Sequence, residues 1–210
     1  MDELFYNIKD DNKNKLLQQF EVYFREYNKD EVILSSIKND HIICAVIYGH
    51  IQIVKNNFNG DRIIIEDLED NSLFGSMSSN IGNTQYEIIT KEKTKIMIIY
   101  LENVMVYNDK TDYYIQFIKN LLNVLYNKIN DNNNRIEIIT NKTIRDKLLS
   151  YFKLASKNGQ SKIIYLPFNH SDLADYLAIN RSAMARELKN LKDEGLIEIK
   201  GKKIKLLYYI

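Results

Sequence analysis

Arg181, Ser182, Arg186 and Lys189 carry the most telling chemistry in this 210-residue chain. Drawn as a helix at ~100° per residue, Ser182, Ala185, Arg186 and Lys189 share one face, and Arg181 flanks them in the first turn. Met184, Leu188 and Leu191 form the opposite, apolar face. A helix divided in this way suits the major groove of DNA. An arginine can fork the two acceptors of a guanine edge, a serine hydroxyl can donate or accept, and an alanine avoids steric conflict. The same residues are compatible with a plain solvated helix face, so the elements around them must decide.

Those elements make a helix pair followed by a hairpin. Leu173, Leu177, Ile179 and Met184 supply an apolar lock between two helices, with Ala174 at their crossing and Ala178 at the turn. Two helices joined by three or four residues, the second lying in the groove, are the geometry of a helix-turn-helix. Ser171 is placed to cap the first helix. Asp193-Glu194-Gly195 ends the second, with Gly195 as a left-handed cap. Leu196, Ile197 and Ile199 then alternate into a strand, Lys200-Gly201-Lys202 turns, and Ile204, Leu206 and Leu207 return. This is a wing, and Lys200, Lys202, Lys203 and Lys205 would lie near phosphates.

Charge is divided in the same sense. Residues 141–210 hold 14 Lys and Arg against 7 Asp and Glu, a surplus of seven, whereas residues 1–140 hold 15 against 21, a deficit of six. The near-neutral whole hides a basic C-terminal third on an acidic body, and local excess is what phosphate contact requires. Helix pair, wing and basic charge together favour DNA over a solvated face.

A 45% hydrophobic content is enough for buried cores in one large or two small domains. Apolar runs such as Ile96 to Leu101 are too short to cross a bilayer. The acidic start MDELFYNIKDD lacks the layout of a signal peptide. A single cysteine, Cys44, excludes an internal disulfide framework. A cytoplasmic location without membrane contact is expected.

Residues 31–101 are expected to be mainly strands, from the β-branched segments EVILSSI, HIICAVIYGHIQIVK, RIIIEDL, YEIIT and KIMIIYL. Asn59-Gly60 marks a hairpin between two of them. Such spacing suggests a sandwich, jelly roll or barrel. Leu16, Leu17, Phe20, Tyr23, Phe24 and Tyr27 predict a helix over 11–27 before the sheet, and Ile144, Leu148, Phe152 and Ala155 predict another over about 142–156.

Between the strands and the helix pair runs a heptad seam. Ile115, Ile118, Leu122, Leu125, Ile129, Asn132, Ile136 and Ile139 alternate at spacings of three and four, with Asn132 as its polar member. The spacing also serves a helix inside its own core, but a seam this narrow and sustained favours pairing with a second copy of the chain.

The order of these parts resembles the CRP/FNR family of bacterial transcription regulators over nearly the whole chain. The strongest local likeness is Asn180-Arg181-Ser182-Ala183-Met184-Ala185-Arg186-Glu187-Leu188, followed by Asp193-Glu194-Gly195-Leu196-Ile197. Tyr48-Gly49-His50-Ile51 and Leu73-Phe74-Gly75-Ser76-Met77 look like the family's cyclic-nucleotide-type β-roll. The resemblance implies an α+β chain with three parts: a β-roll (jelly roll) over 1–109, a dimerisation helix and hinge over 110–139, and a winged helix-turn-helix over 140–210. It also implies a homodimer on an inverted repeat of double-stranded DNA, a sensing domain for a small-molecule effector of unknown identity, and RNA polymerase as a further partner.

By the same resemblance, Arg181, Ser182 and Arg186 read bases, His170 and Ser171 approach phosphate, and Gly75, Ser76 and Tyr86 border the effector pocket. Many members carry Glu where this chain has Ser182, so the preferred half-site is expected to differ. The family's nucleotide pocket uses a Gly-Glu pair and a following Arg. Here Gly75 is followed by Ser76, and the later segment GNTQYEII contains no arginine before Lys91. Without that cation the cyclic phosphate lacks charge-assisted bonds, so tight cyclic AMP binding is not expected.

His41, Cys44 and His50 invite a metal reading, but strand alternation puts His41 and Cys44 on opposite faces, and Cys44 fits better as a buried apolar residue. No metal or cofactor is expected. Nor is an enzyme: phosphate-loop, HExxH, Gly-x-Ser-x-Gly and paired-cysteine patterns are missing from the sequence. The competing reading is a protein-interaction module that uses the winged helix and β-roll without specific DNA recognition. The salt dependence of DNA binding separates the two.

Overall fold

The structure, a computed structural model, describes residues 3–33, 41–57, 60–75, 86–106, 110–157 and 159–208. The chain divides into two units, Met1–Ile129 and Asn130–Ile210.

The first unit begins with α1 (Asp10–Gln19), much shorter than the helix predicted over 11–27. Glu21 takes a left-handed φ of 50°, and the Val22 and Glu21 amides bond back to the Leu17 and Gln18 carbonyls. That is a Schellman closure. Tyr23–Tyr27 then forms strand β1, paired antiparallel with β8 (Thr94–Tyr100). The aromatic spacing that reads as helical is overridden by sheet pairing, in which aromatic residues are equally at home.

The remaining strands are β2 (Val32–Ile33), β3 (Ile42–Tyr48), β4 (Ile51–Asn56), β5 (Arg62–Leu68), β6 (Leu73–Gly75) and β7 (Tyr86–Thr90). They make two four-stranded sheets, ordered β1-β8-β3-β6 and β2-β7-β4-β5. Ile42, Cys44, Val46, Ile96 and Ile98 of the first sheet meet Ile51, Ile53 and Ile88 of the second in one core. The alternate residues Ile43, Ala45, Met97 and Ile99 pack in another core with Leu16 and Phe20. Strands β3 and β8 are therefore buried on both faces, and this is why they read as continuous apolar runs without alternation. The hairpin expected at Asn59-Gly60 joins β4 to β5: Asn56 pairs with Arg62, and Gly60 has φ 84°. Asn59 itself lies outside the described residues, as does 34–37, the later part of the expected strand EVILSSI.

Helix α2 (Leu101–Val106) leads to α3 (Asp112–Thr140), a helix of 29 residues that runs through the boundary between the units. Phe117, Leu121 and Val124 of α3 close the second core of the β-roll.

The second unit continues with α4 (Ile144–Ala155), β9 (Ile163–Tyr165), α5 (His170–Tyr176), α6 (Arg181–Asp193), β10 (Ile197–Lys200) and β11 (Lys203–Leu206). Thr143 caps α4, its hydroxyl accepting from the Asp146 amide at 3.0 Å. Leu148, Phe152, Leu173, Leu177, Met184 and Leu188 belong to a core that also takes in Ile138 from the last turns of α3. The wing expected from β10 and β11 gains a third strand, β9, in the order β10-β11-β9. The jelly-roll β-roll, long helix and C-terminal winged helix-turn-helix foreseen in the sequence are all present.

Candidate nucleic-acid interface

Helices α5 and α6 are held at every end. The cap of α5 is Asn169, whose side chain accepts from the Asp172 amide at 2.9 Å; Ser171, expected in that role, sits inside the first turn. At the other end Ala178 adopts φ 51°, and the Ile179 amide donates to the Ala174 carbonyl at 3.0 Å. This left-handed alanine gives the tight turn between the helices at a cost of about 1 kcal/mol. Asn180 then caps α6 through the Ala183 amide at 3.1 Å. Gly195, at φ 73°, ends α6 as expected, with the Gly195 and Leu196 amides on the Lys192 and Leu191 carbonyls.

With both termini fixed, the division of α6 is the one its sequence foretells. Met184 and Leu191 are fully buried and Leu188 nearly so, while Arg181, Ser182, Ala185, Arg186 and Lys189 are exposed. Among the described residues no ion pair engages Arg181, Arg186 or Lys189. One flank of α6 is tied down instead. Arg145 of α4 donates to Glu187 Oε1 at 3.3 Å and to both carboxylate oxygens of Glu194. Those bonds hold the Glu194 carboxyl below the usual carboxylate range. The sequence reading missed Arg145, because its partners lie 42 and 49 residues away.

His170 is exposed and Ser171 half-buried at the start of α5. In the wing, Lys202 is exposed and reaches the Pro167 carbonyl at 3.0 Å. Lys203 is half-buried with its ammonium 5.8 Å from the centre of the Tyr165 ring, and Lys205 pairs with Glu198 at 3.3 Å. The wing cations are thus partly engaged, and those of the α6 face are not.

Residues 146–208 match the model of the Crp-like helix-turn-helix domain. The C-terminal unit carries a Crp-like helix-turn-helix domain. Over the whole chain the fold is that of solved CRP/FNR-type proteins. A cyclic nucleotide-binding domain containing protein from Listeria monocytogenes is similar at 15% identity and a TM-score of 0.70, covering 92% of this chain and 96% of that one. A putative transcriptional regulator of the crp/fnr family from Eubacterium rectale is similar at 16% identity and 0.61, covering 97% and 94%. FixK2 from Bradyrhizobium japonicum is similar at 16% and 0.63, covering 89% and 93%. No curated protein matches the sequence.

Away from the Crp-like domain, two of the three expected effector residues fall within the described part of the β-roll. Gly75 lies on β6 of one sheet and Tyr86 on β7 of the other, and Ser76 lies outside the described residues. A Cβ on Gly75 would fall 2.2 Å from the Ile42 carbonyl, so this glycine serves the close approach of β6 to β3. Beside it is a cavity of about 50 Å³ bordered by Ile42, Leu73, Phe74, Leu125, Glu66 and Lys128. Lys128 spends its ammonium there on the Glu66 carboxylate and, at 2.7 Å, on the Leu73 carbonyl.

Cys44 is fully buried, and burial pushes its thiol up to about 12. His50 bonds to Asp67 at 2.8 Å, which raises its pKa against the opposing effect of burial. Among the described residues no group of three or more His, Cys, Asp or Glu could hold a metal ion. No described helix is long and apolar enough to cross a membrane.

Helix α3 presents two adjoining faces. Phe117, Leu121 and Val124, which the heptad reading left out, are buried in the β-roll, and their spacing of four and three was the available signal. Of the seam, Ile118 and Leu125 are half-buried and lean on the same core. Ile115, Leu122, Ile129 and Ile136, spaced by seven, are 42%, 61%, 58% and 54% exposed, and Asn132 is exposed among them.

Proposed function

We propose that this chain is a sequence-specific DNA-binding transcriptional regulator of the CRP/FNR type, acting as a homodimer on an inverted repeat. The observation that carries the reading is the exposed face of α6, where Arg181, Arg186 and Lys189 stand without ion-pair partners among the described residues, beside Ser182 and Ala185. Unpaired guanidinium groups on a rigidly capped helix are ready to fork guanine acceptors without first breaking an internal bond. Lys200 and Lys202 of the wing, with His170 and Ser171 at the start of α5, take the phosphates that set its register.

Dimerisation follows from α3. Four large apolar side chains at heptad spacing are exposed on one chain, and a second copy of the same helix is the surface whose seam matches them. Two copies of α6 then lie about one DNA turn apart, ~34 Å, as half-sites of an inverted repeat demand. Control by cyclic AMP is not part of this reading, because Gly75 is followed by Ser76 and the segment from there to Lys91 carries no arginine to hold a cyclic phosphate.

The test is selection of DNA from a random pool by the full-length protein without added ligand, at physiological salt. An enriched inverted repeat, with affinity falling steeply with salt, supports the reading. Binding that is indifferent to sequence and shallow in salt would instead favour a protein-interaction module.

A further inference from the structure

Arg145 is the second residue of α4, and its guanidinium lies across the flank of α6, between the apolar face and the exposed one. Nη1 donates to Glu187 at 3.3 Å and to Glu194 at 2.8 Å, and Nη2 donates to the second oxygen of Glu194. Glu187 also accepts from Asn190 Nδ2 at 3.1 Å. Seven residues separate Glu187 from Glu194, so both project from nearly the same side of the helix, ~10 Å apart along its axis. The rest of α6 is held by Met184, Leu188 and Leu191, whose apolar contacts have no preferred direction. A planar fork on two points of one flank adds the direction that such contacts lack.

We propose that Arg145 is a positioning residue for base reading: by gripping Glu187 and Glu194 it sets the roll of α6 about its own axis, and so the angle at which Arg181, Ser182 and Arg186 are presented. The inference rests on the DNA-reading function above and says where its discrimination comes from. Hydrogen bonds to a base edge fail with a small rotation of the donor, whereas attraction to phosphates does not. Loss of the fork should therefore blunt the choice among sequences more than the grip on DNA in general.

Arg145→Lys tests this because it keeps the charge and removes the two-point fork. The ratio of affinities for the selected site and for a scrambled duplex should fall roughly fivefold, with scrambled-DNA affinity and melting temperature little changed. In a Glu187→Gln/Glu194→Gln background the same change should do much less, as a double-mutant cycle would register. A ratio unchanged by Arg145→Lys would overturn the proposal, as would an equal loss on both duplexes.

Hydrogen exchange without DNA gives a second reading. Amides of α6 should exchange faster in Arg145→Lys while those of α5 keep their rates, and unchanged α6 rates would refute the grip. Should the unaltered protein fail to discriminate between sequences, the DNA-reading function falls, and exchange alone decides whether Arg145 holds the helix.

Discussion

The cations of α6 and the cation of the β-roll cavity are handled in opposite ways. Arg181, Arg186 and Lys189 are exposed without ion pairs among the described residues, whereas Lys128 is half-buried and bonded to both Glu66 and the Leu73 carbonyl. A charge kept free awaits an anion from outside. A charge already satisfied within the protein holds structure together, and an incoming anion would have to displace Glu66 to reach it. The contrast fits the proposed recognition by α6 and gives the Lys128–Glu66 pair a structural part.

Four measurements would sharpen or break that contrast. The largest effect is expected from Lys128→Ala, which strips a part-buried carboxylate and a carbonyl of a charged donor. Stability should fall by about 2–3 kcal/mol, read by denaturant unfolding, and a loss near zero would mean that the pair holds nothing. Arg186→Ala should do the reverse, weakening specific DNA binding by about 1–3 kcal/mol in a mobility-shift titration while the melting temperature stays put. Equal affinity of both proteins for specific and scrambled duplexes would break the comparison outright.

Ala178→Gly should stabilise the second unit by up to about 1 kcal/mol, because glycine meets no Cβ penalty in the left-handed turn. A lower melting temperature would show that the alanine methyl is needed there. The smallest effect concerns His50. Its folded pKa is raised by the bond to Asp67, so the native state holds the proton more tightly than the unfolded chain. The resulting stabilisation is complete below about pH 6.5, the unfolded value. It drains away as pH rises through the folded value, and His50→Gln should remove that dependence from the thermal midpoint.

Much of this molecule was legible because local rules and tertiary demands agree. The Gly195 cap, the wing and the two faces of α6 follow from residues within a few positions of one another, and the structure reproduces them, while the cap of α5 falls on Asn169, two residues before the expected Ser171. Legibility failed where a distant partner decides. Tyr23, Phe24 and Tyr27 satisfy a helical period, yet they form β1 because β8, some seventy residues later, offers an edge. Arg145 carries no signal by itself, since its meaning lies in Glu187 and Glu194. Helix α3 shows the intermediate case. Its outer seam was read correctly as apolar, but the same spacing rule applied one residue over yields Phe117, Leu121 and Val124, and a single rule cannot rank two faces.

The open seam of α3 bears on how much of the protein a cell must hold. If the chain pairs with its copy as proposed, burial of Leu122, Ile129 and Ile136 stabilises the pair, and the population of paired molecules tracks total abundance. Two reading heads on such a particle would bind together more tightly than either alone. Occupancy of the target would then rise more steeply than in proportion to the number of chains made, and synthesis and turnover would themselves act as a signal, with no small molecule needed.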